Sequence, residues 1–161
     1  MIDEVENKIK EKENAGFKLF KSVMERELQK KHIDRYSISQ TPVEQKWNWD
    51  ATVTLYNGKT CLYELKVRDI EEDKYKDYFF KVSKINALKN IEAESGNKVK
   101  CVTFYPKSNS LYIHTLEQIT EGNNIKWVKV RKTEMDDDSE EEMQRYYYFD
   151  LNKGKRLLIN E

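Results

Sequence analysis

The chain has 161 residues, with 29 Lys plus Arg against 29 Asp plus Glu and no formal net charge. At 38% hydrophobic and 12% aromatic residues it carries too much surface worth burying to be disordered, and its length suits a single domain, 1–161, burying about 70% of its unfolded surface. It lacks the run of about 18 apolar residues that a membrane helix needs, and its acidic start, Met1-Ile2-Asp3-Glu4, predicts no signal peptide, a cytoplasmic protein, and reduced thiols at Cys61 and Cys101.

Residues 3–32 read as a long helix. Ile9, Phe17, Phe20, Met24 and Leu28 form an apolar stripe, Asp3 is the expected N-cap, and Gly16 marks a place for close packing. Glu13 lies on that stripe, where a carboxylate needs a partner. Residues 33–46, with Pro42, read as a loop or short irregular strand. Residues 47–55 and 59–67 then alternate with period 2, the signature of two strands. Trp47, Trp49, Ala51, Val53 and Leu55 share one apolar parity, as do Cys61, Tyr63, Leu65 and Val67.

A charged, tyrosine-bearing stretch, 71–78, leads into a predicted helix over 79–95 with Gly96 at its C′ position, and Tyr75, Tyr78 and Phe79 are read as its anchors. Strands are expected at 99–105 and 111–116, around a turn at 106–110, and again at 125–132, 145–151 and 156–159. Residues 134–142 (EMDDDSEEE) hold seven acids and no base. They read as a solvated loop and leave 29 bases against 22 acids in the rest of the chain. His32 and His114 have no ligand partner by spacing and read as ordinary structural or exposed histidines. This order of elements describes an α/β mixed sheet flanked by helices, a core over 1–116 and a C-terminal strand extension over 125–161.

The hairpin carries the chemistry. A two-residue Asn57-Gly58 turn places Asp50 and Glu64 on different faces. A three-residue loop, Tyr56-Asn57-Gly58, with Gly58 left-handed, pairs Leu55 with Lys59 and sets Asp50 across from Glu64. The hydrophobic parity selects the second register, because a one-residue slip buries charges. Opposed side chains then lie about 5 Å apart, close enough for two carboxylates to share a divalent cation such as Mg²⁺, with the Leu65 carbonyl as a further oxygen ligand. Lys66, on the same face as Glu64, places an ammonium beside that ion, a set suited to phosphodiester hydrolysis.

Trp49-Asp50, thirteen residues, then Glu64-Leu65-Lys66 resembles the signature of the PD-(D/E)xK nuclease superfamily, with Trp49 in the place of the proline. Glu-x-Lys occurs four times in the chain, at Glu6, Glu44, Glu64 and Glu72, but only the third lies in an alternating strand paired to one bearing an aspartate. The resemblance covers about 1–116 and implies a restriction-endonuclease-like fold. It implies Asp50 and Glu64 as metal ligands, Lys66 as the catalytic lysine, and a helix-borne carboxylate, for which Glu13 is placed ahead of Glu27. Lys84, Lys81 and Arg68 are the expected phosphate-gripping residues. The activity implied is a Mg²⁺-dependent nuclease on DNA, with Mn²⁺ able to substitute, akin to phage- or mobile-element-encoded resolvases and repair nucleases, and acting as a homodimer. The rival reading is a non-catalytic nucleic-acid-binding or adaptor protein on the same fold, which the low net charge and acidic insert favour.

Overall fold

A computed structural model describes residues 2–42, 49–75, 77–131 and 141–161. Two expectations fall outside them: Trp47 as a core aromatic, and most of the acidic stretch, of which Glu141 and Glu142 alone are described.

The chain runs α1 (Ile2–Lys30), β1 (Tyr36–Gln40), β2 (Ala51–Leu55), β3 (Thr60–Val67), β4 (Asp77–Lys81), α2 (Val82–Ser95), β5 (Lys98–Tyr105), β6 (Ser110–Thr115), α3 (Leu116–Thr120), β7 (Ile125–Arg131), β8 (Glu141–Asp150) and β9 (Lys155–Leu158). The main sheet has the order β1-β2-β3-β5-β6-β9, with β3 and β5 parallel and the other neighbours antiparallel. A second, antiparallel sheet has the order β4-β8-β7. The expected mixed sheet flanked by helices is present, and the C-terminal strands divide between the two sheets.

Both faces of the main sheet are covered, as a parallel pair at its centre requires. On one face α1 sets Phe20, Val23 and Leu28 against Ala51, Val53, Tyr63, Val102 and Phe104. On the other, Leu62, Val99 and Cys101 meet Ile85 and Leu88 of α2, Leu116 and Ile119 of α3, and Phe80, Tyr147 and Phe149 of the second sheet. Gly16 permits close approach: a Cβ there would lie 3.4 Å from Val67 Cγ2. Ile9, at the head of the apolar stripe, is exposed.

Three local readings need correction, and between loop and strand at 33–46 the strand holds. Helix α1 starts at Ile2, so Asp3 lies within it rather than before it. Residues 36–40 form a regular edge strand, because Tyr36, Ile38 and Gln40 fall in register with β2. The segment 79–81 is strand, not helix. Its apolar periodicity is satisfied by pairing Phe79, Phe80 and Lys81 with Tyr148, Tyr147 and Tyr146, and α2 begins only at Val82. After β6 the chain turns into α3, where Thr115 and Gln118 exchange side-chain to backbone hydrogen bonds in a capping box.

The hairpin has the expected loop. Leu55 N–H donates to Lys59 O, Gly58 N–H donates to Leu55 O, and Gly58 adopts φ +84°. The register then runs from Thr54–Thr60 to Ala51–Tyr63. It breaks one residue later. The Asp50 amide donates to Tyr63 O at 2.8 Å, out of phase with the Ala51–Tyr63 pair, a bulge-like step. Parity flips there. Trp49 packs with the Leu62 and Ile85 side of the sheet, while Ala51 and Val53 pack beneath α1. The sequence expectation that Trp49 shares the Ala51 face is therefore wrong, because alternation does not pass through a bulge.

Candidate active site

The bulge aims Asp50 at the neighbouring strand. Its Oδ2 accepts from the Leu65 amide at 2.7 Å, so the carboxyl substitutes for a ladder partner. Asp50 is thus not squarely across from Glu64 as a regular ladder would place it, yet the two carboxyls converge. They line one cleft of about 530 Å³ with Glu13, Lys66 and Lys84. Four elements supply these groups: α1 gives Glu13, the bulge Asp50, β3 Glu64 and Lys66, and α2 Lys84.

The electrostatics show a site crowded with acid. Burial pushes Glu64 up to about 8, and the adjacent Asp50 charge adds to the effect, against the opposing charge of Lys84. The Glu64 side chain is only 15% exposed. Asp50 is raised by burial, with the Leu65 amide, Lys84 and the Glu64 carboxyl pulling the other way. Glu13, half-buried, is raised by burial and then by Asp50. Lys84 Nζ lies 3.3 Å from the buried Glu64 Oε2, an ion pair that is the oxygen's counter-charge, with no further hydrogen-bond donor to it. An oxygen in that condition, beside a second carboxylate, fits a hard cation. Among the described residues, however, no three His, Cys, Asp or Glu side chains are grouped to hold a metal ion. Any cation here would rest on Asp50 and Glu64 with backbone oxygen and water.

Of the sequence-predicted residues, Asp50, Glu64, Leu65, Lys66, Glu13, Lys81 and Lys84 all line the cleft. Lys66 extends over the Phe80 ring, its Nζ 5.9 Å from the centroid. Arg68 is not among the lining residues. It follows β3, donates its amide to Phe104 O, and places its guanidinium 5.8 Å from the rings of Tyr75 and Phe79. Glu27 is elsewhere, paired with Arg26 and Lys30 in a cluster that grips the C-terminus. The cleft also contains Lys12, Gln40, Thr41, Phe80 and Tyr146, which sequence reasoning did not select. Lys12 beside Glu13 on α1 was within reach of it. Tyr146 was not, since only the pairing of β4 with β8 brings it there.

His114 is fully buried, with Nε2 2.9 Å from Leu151 O. Cys101 is buried and lies beside Glu64 in the β3–β5 ladder, and both cysteines are free thiols. No described helix is long and apolar enough to cross a membrane.

The fold is restriction-endonuclease-like, and its cleft is lined by two carboxylates and a lysine from the hairpin. The resemblance seen in the sequence thus holds at the level of fold. No family model matches the chain, and no curated protein sequence does. Among solved structures it is similar to Hjc of Archaeoglobus fulgidus, a Holliday junction resolvase from an archaeal hyperthermophile. The TM-score is 0.52 at 10% identity, and the match covers 89% of this chain and 92% of that one. At that identity the likeness speaks to the fold alone. Its coverage exceeds what residues 1–116 could supply, so it takes in part of the C-terminal region that the sequence resemblance left out.

Proposed function

We propose that the protein is a metal-dependent nuclease that hydrolyses DNA phosphodiester bonds, of the resolvase or repair-nuclease kind. One observation carries the reading: Asp50, Glu64 and Lys66 meet in a single cleft of a restriction-endonuclease-like fold. Asp50, Glu64 and the Leu65 carbonyl would hold Mg²⁺, or Mn²⁺ in its place, and the buried Glu64 oxygen, facing a cation already in Lys84, supports that assignment. The cation would supply charge for the phosphoryl oxygens and acidify an attacking water.

The chain's own groups do the rest. The Lys66 ammonium stands where negative charge grows on the phosphate, held over the Phe80 ring. Lys84 and Lys81 grip non-bridging oxygens from the opposite wall, Lys84 leaving Glu64 for the phosphate. Glu13, at the α1 side, accepts a proton from water or orders it.

Incubation with branched, single-stranded and duplex DNA in Mg²⁺, Mn²⁺ or EDTA tests the reading. Cleavage in either metal that is lost in EDTA and in Lys66→Ala supports it; intact DNA under every condition overturns it. The second reading, binding without cleavage, is favoured by the lack of a three-ligand cluster among the described residues, and predicts metal-independent binding with no product. A homodimer is tested by sedimentation.

A further inference from the structure

We infer that the second sheet carries a binding track for an unpaired DNA strand, leading out of the cleft across Phe79 and Tyr148, with Tyr146 buried beside them as a support. The inference rests on reading the cleft as a nucleic-acid site. Register places these groups on one face: Phe79 opposes Tyr148, and both Lys81 and Lys126 oppose Tyr146. The Phe79 ring stacks on Tyr148 at 5.5 Å and meets Tyr146 edge-on at 4.9 Å. Lys126 Nζ sits 4.7 Å above the Tyr148 ring. Tyr75, 54% exposed, is approached by Lys74 at 5.7 Å and by Arg68 at 5.8 Å.

Continuity and charge point to the occupant. Tyr146 and Lys81 belong to the carboxylate cleft, while Tyr148 and Lys126 line a second cavity of about 250 Å³. The aromatic row therefore joins two hollows. Lys74, Lys81, Lys126 and Arg68 stand along it. Two acids, Glu121 and Asp150, line the second cavity with Lys126 and Lys153; Glu121 is ion-paired with Lys153, Asp150 accepts from the Asn152 amide, and Glu142 is bound by Gln144. A purely apolar partner has no use for cations over each accessible ring. A strand with stacked bases and a phosphate backbone uses both, which is how single-stranded nucleic acid is held without sequence readout. An ammonium over a ring at a wet surface is a weaker contact than a stacked base, so a base displaces Lys126 from Tyr148 and frees it to meet the adjoining phosphate. Paired bases in duplex DNA cannot make this exchange, so the track selects unpaired nucleotides such as those at a branch.

The test uses the full chain in EDTA and fluorescence anisotropy with a labelled 16-nucleotide single strand and a 16-base-pair duplex. Tyr148→Ala should weaken single-strand binding about tenfold or more and change duplex binding less than about twofold, while Tyr148→Phe retains affinity. Lys126→Glu, at an exposed position that does not risk the fold, should weaken single-strand binding and flatten its salt dependence by about two charges. A 2-aminopurine reporter in the strand should be quenched on binding to the wild type and not to Tyr148→Ala. No single-strand binding by the wild type, or unchanged affinity in Lys126→Glu, overturns the track. The two readings fail separately. Cleavage with single-strand affinity indifferent to Lys126 and Tyr148 removes the track and keeps the nuclease; Tyr148-dependent binding without cleavage keeps the track and removes the nuclease.

Discussion

Lys84 Nζ stands 3.3 Å from Glu64 Oε2, so the helix that follows the hairpin supplies the charge that partly balances the hairpin's acidic pair. A cation and a phosphate entering together would exchange partners with this contact, the cation taking Glu64 and the phosphate taking Lys84.

The first prediction concerns that contact. Lys84 holds the Glu64 carboxyl down against burial and Asp50. In Lys84→Met the metal-free protein should lose about 1–3 kcal/mol at pH 9, where Glu64 has lost its counter-charge, and less than about 0.5 kcal/mol at pH 5, where it is protonated in both proteins. Urea denaturation at the two pH values measures the difference. Equal losses at both would show that the ion contact is immaterial.

Glu64 itself sets a pH slope. Its unfolded value is near 4.5 and its folded value about 8. Below 4.5 both states hold the proton and no stability is lost. Between the two values the unfolded chain releases a proton that the folded chain keeps, so stability falls as pH rises, and the loss is complete above 8. The total is on the order of a few kcal/mol. Glu64→Gln should flatten the slope, and Mg²⁺ should raise the melting temperature more at pH 8 than at pH 5.5, with no effect in the variant.

Asp50→Asn separates fold from chemistry. The amide oxygen still accepts from Leu65 N–H, while the charge that raises Glu64 disappears. The metal-free variant should be at least as stable as wild type at pH 8. Its DNA cleavage should fall by about 10²-fold or more. Thermal melts and a cleavage time course read the two effects.

Gly154 is irreplaceable for a packing reason. A Cβ there would lie 2.6 Å from His114 Cε1 and Nε2, and the ring, fully buried and bound to Leu151 O, has nowhere to move. Gly154→Ala should cost about 1–3 kcal/mol, visible as a lowered urea midpoint.

His114 gives an acid-side slope. Burial holds its imidazole below the usual value, with the Leu151 and Asp150 carbonyls opposing. Its contribution is full above the unfolded value near 6.5 and is lost as pH falls through the folded value, since only the unfolded chain takes up the proton. This trend runs against that of Glu64, so it is best isolated in the Glu64→Gln background. There the urea midpoint should drop from pH 7 to pH 5, and His114→Gln should abolish the drop.

The sequence by itself determined the hairpin, its three-residue loop and the set Asp50, Glu64 and Lys66. Those depend on period-2 alternation and on Gly58 in a left-handed turn, both local properties of the chain. It also placed Glu13 on the inward stripe of α1, because helical periodicity is equally local. Tertiary structure decided the rest. Phe79 to Lys81 carry an apolar pattern that fits helix or strand, and pairing with a partner some seventy residues away chose strand. Trp49 changed faces because a bulge, invisible to periodicity, intervenes at Asp50. The approach of Lys84 to Glu64, the removal of Arg68 to the aromatic face and the entry of Tyr146 into the cleft all depend on which elements pack together, and packing is settled by non-local burial that no short window of residues encodes.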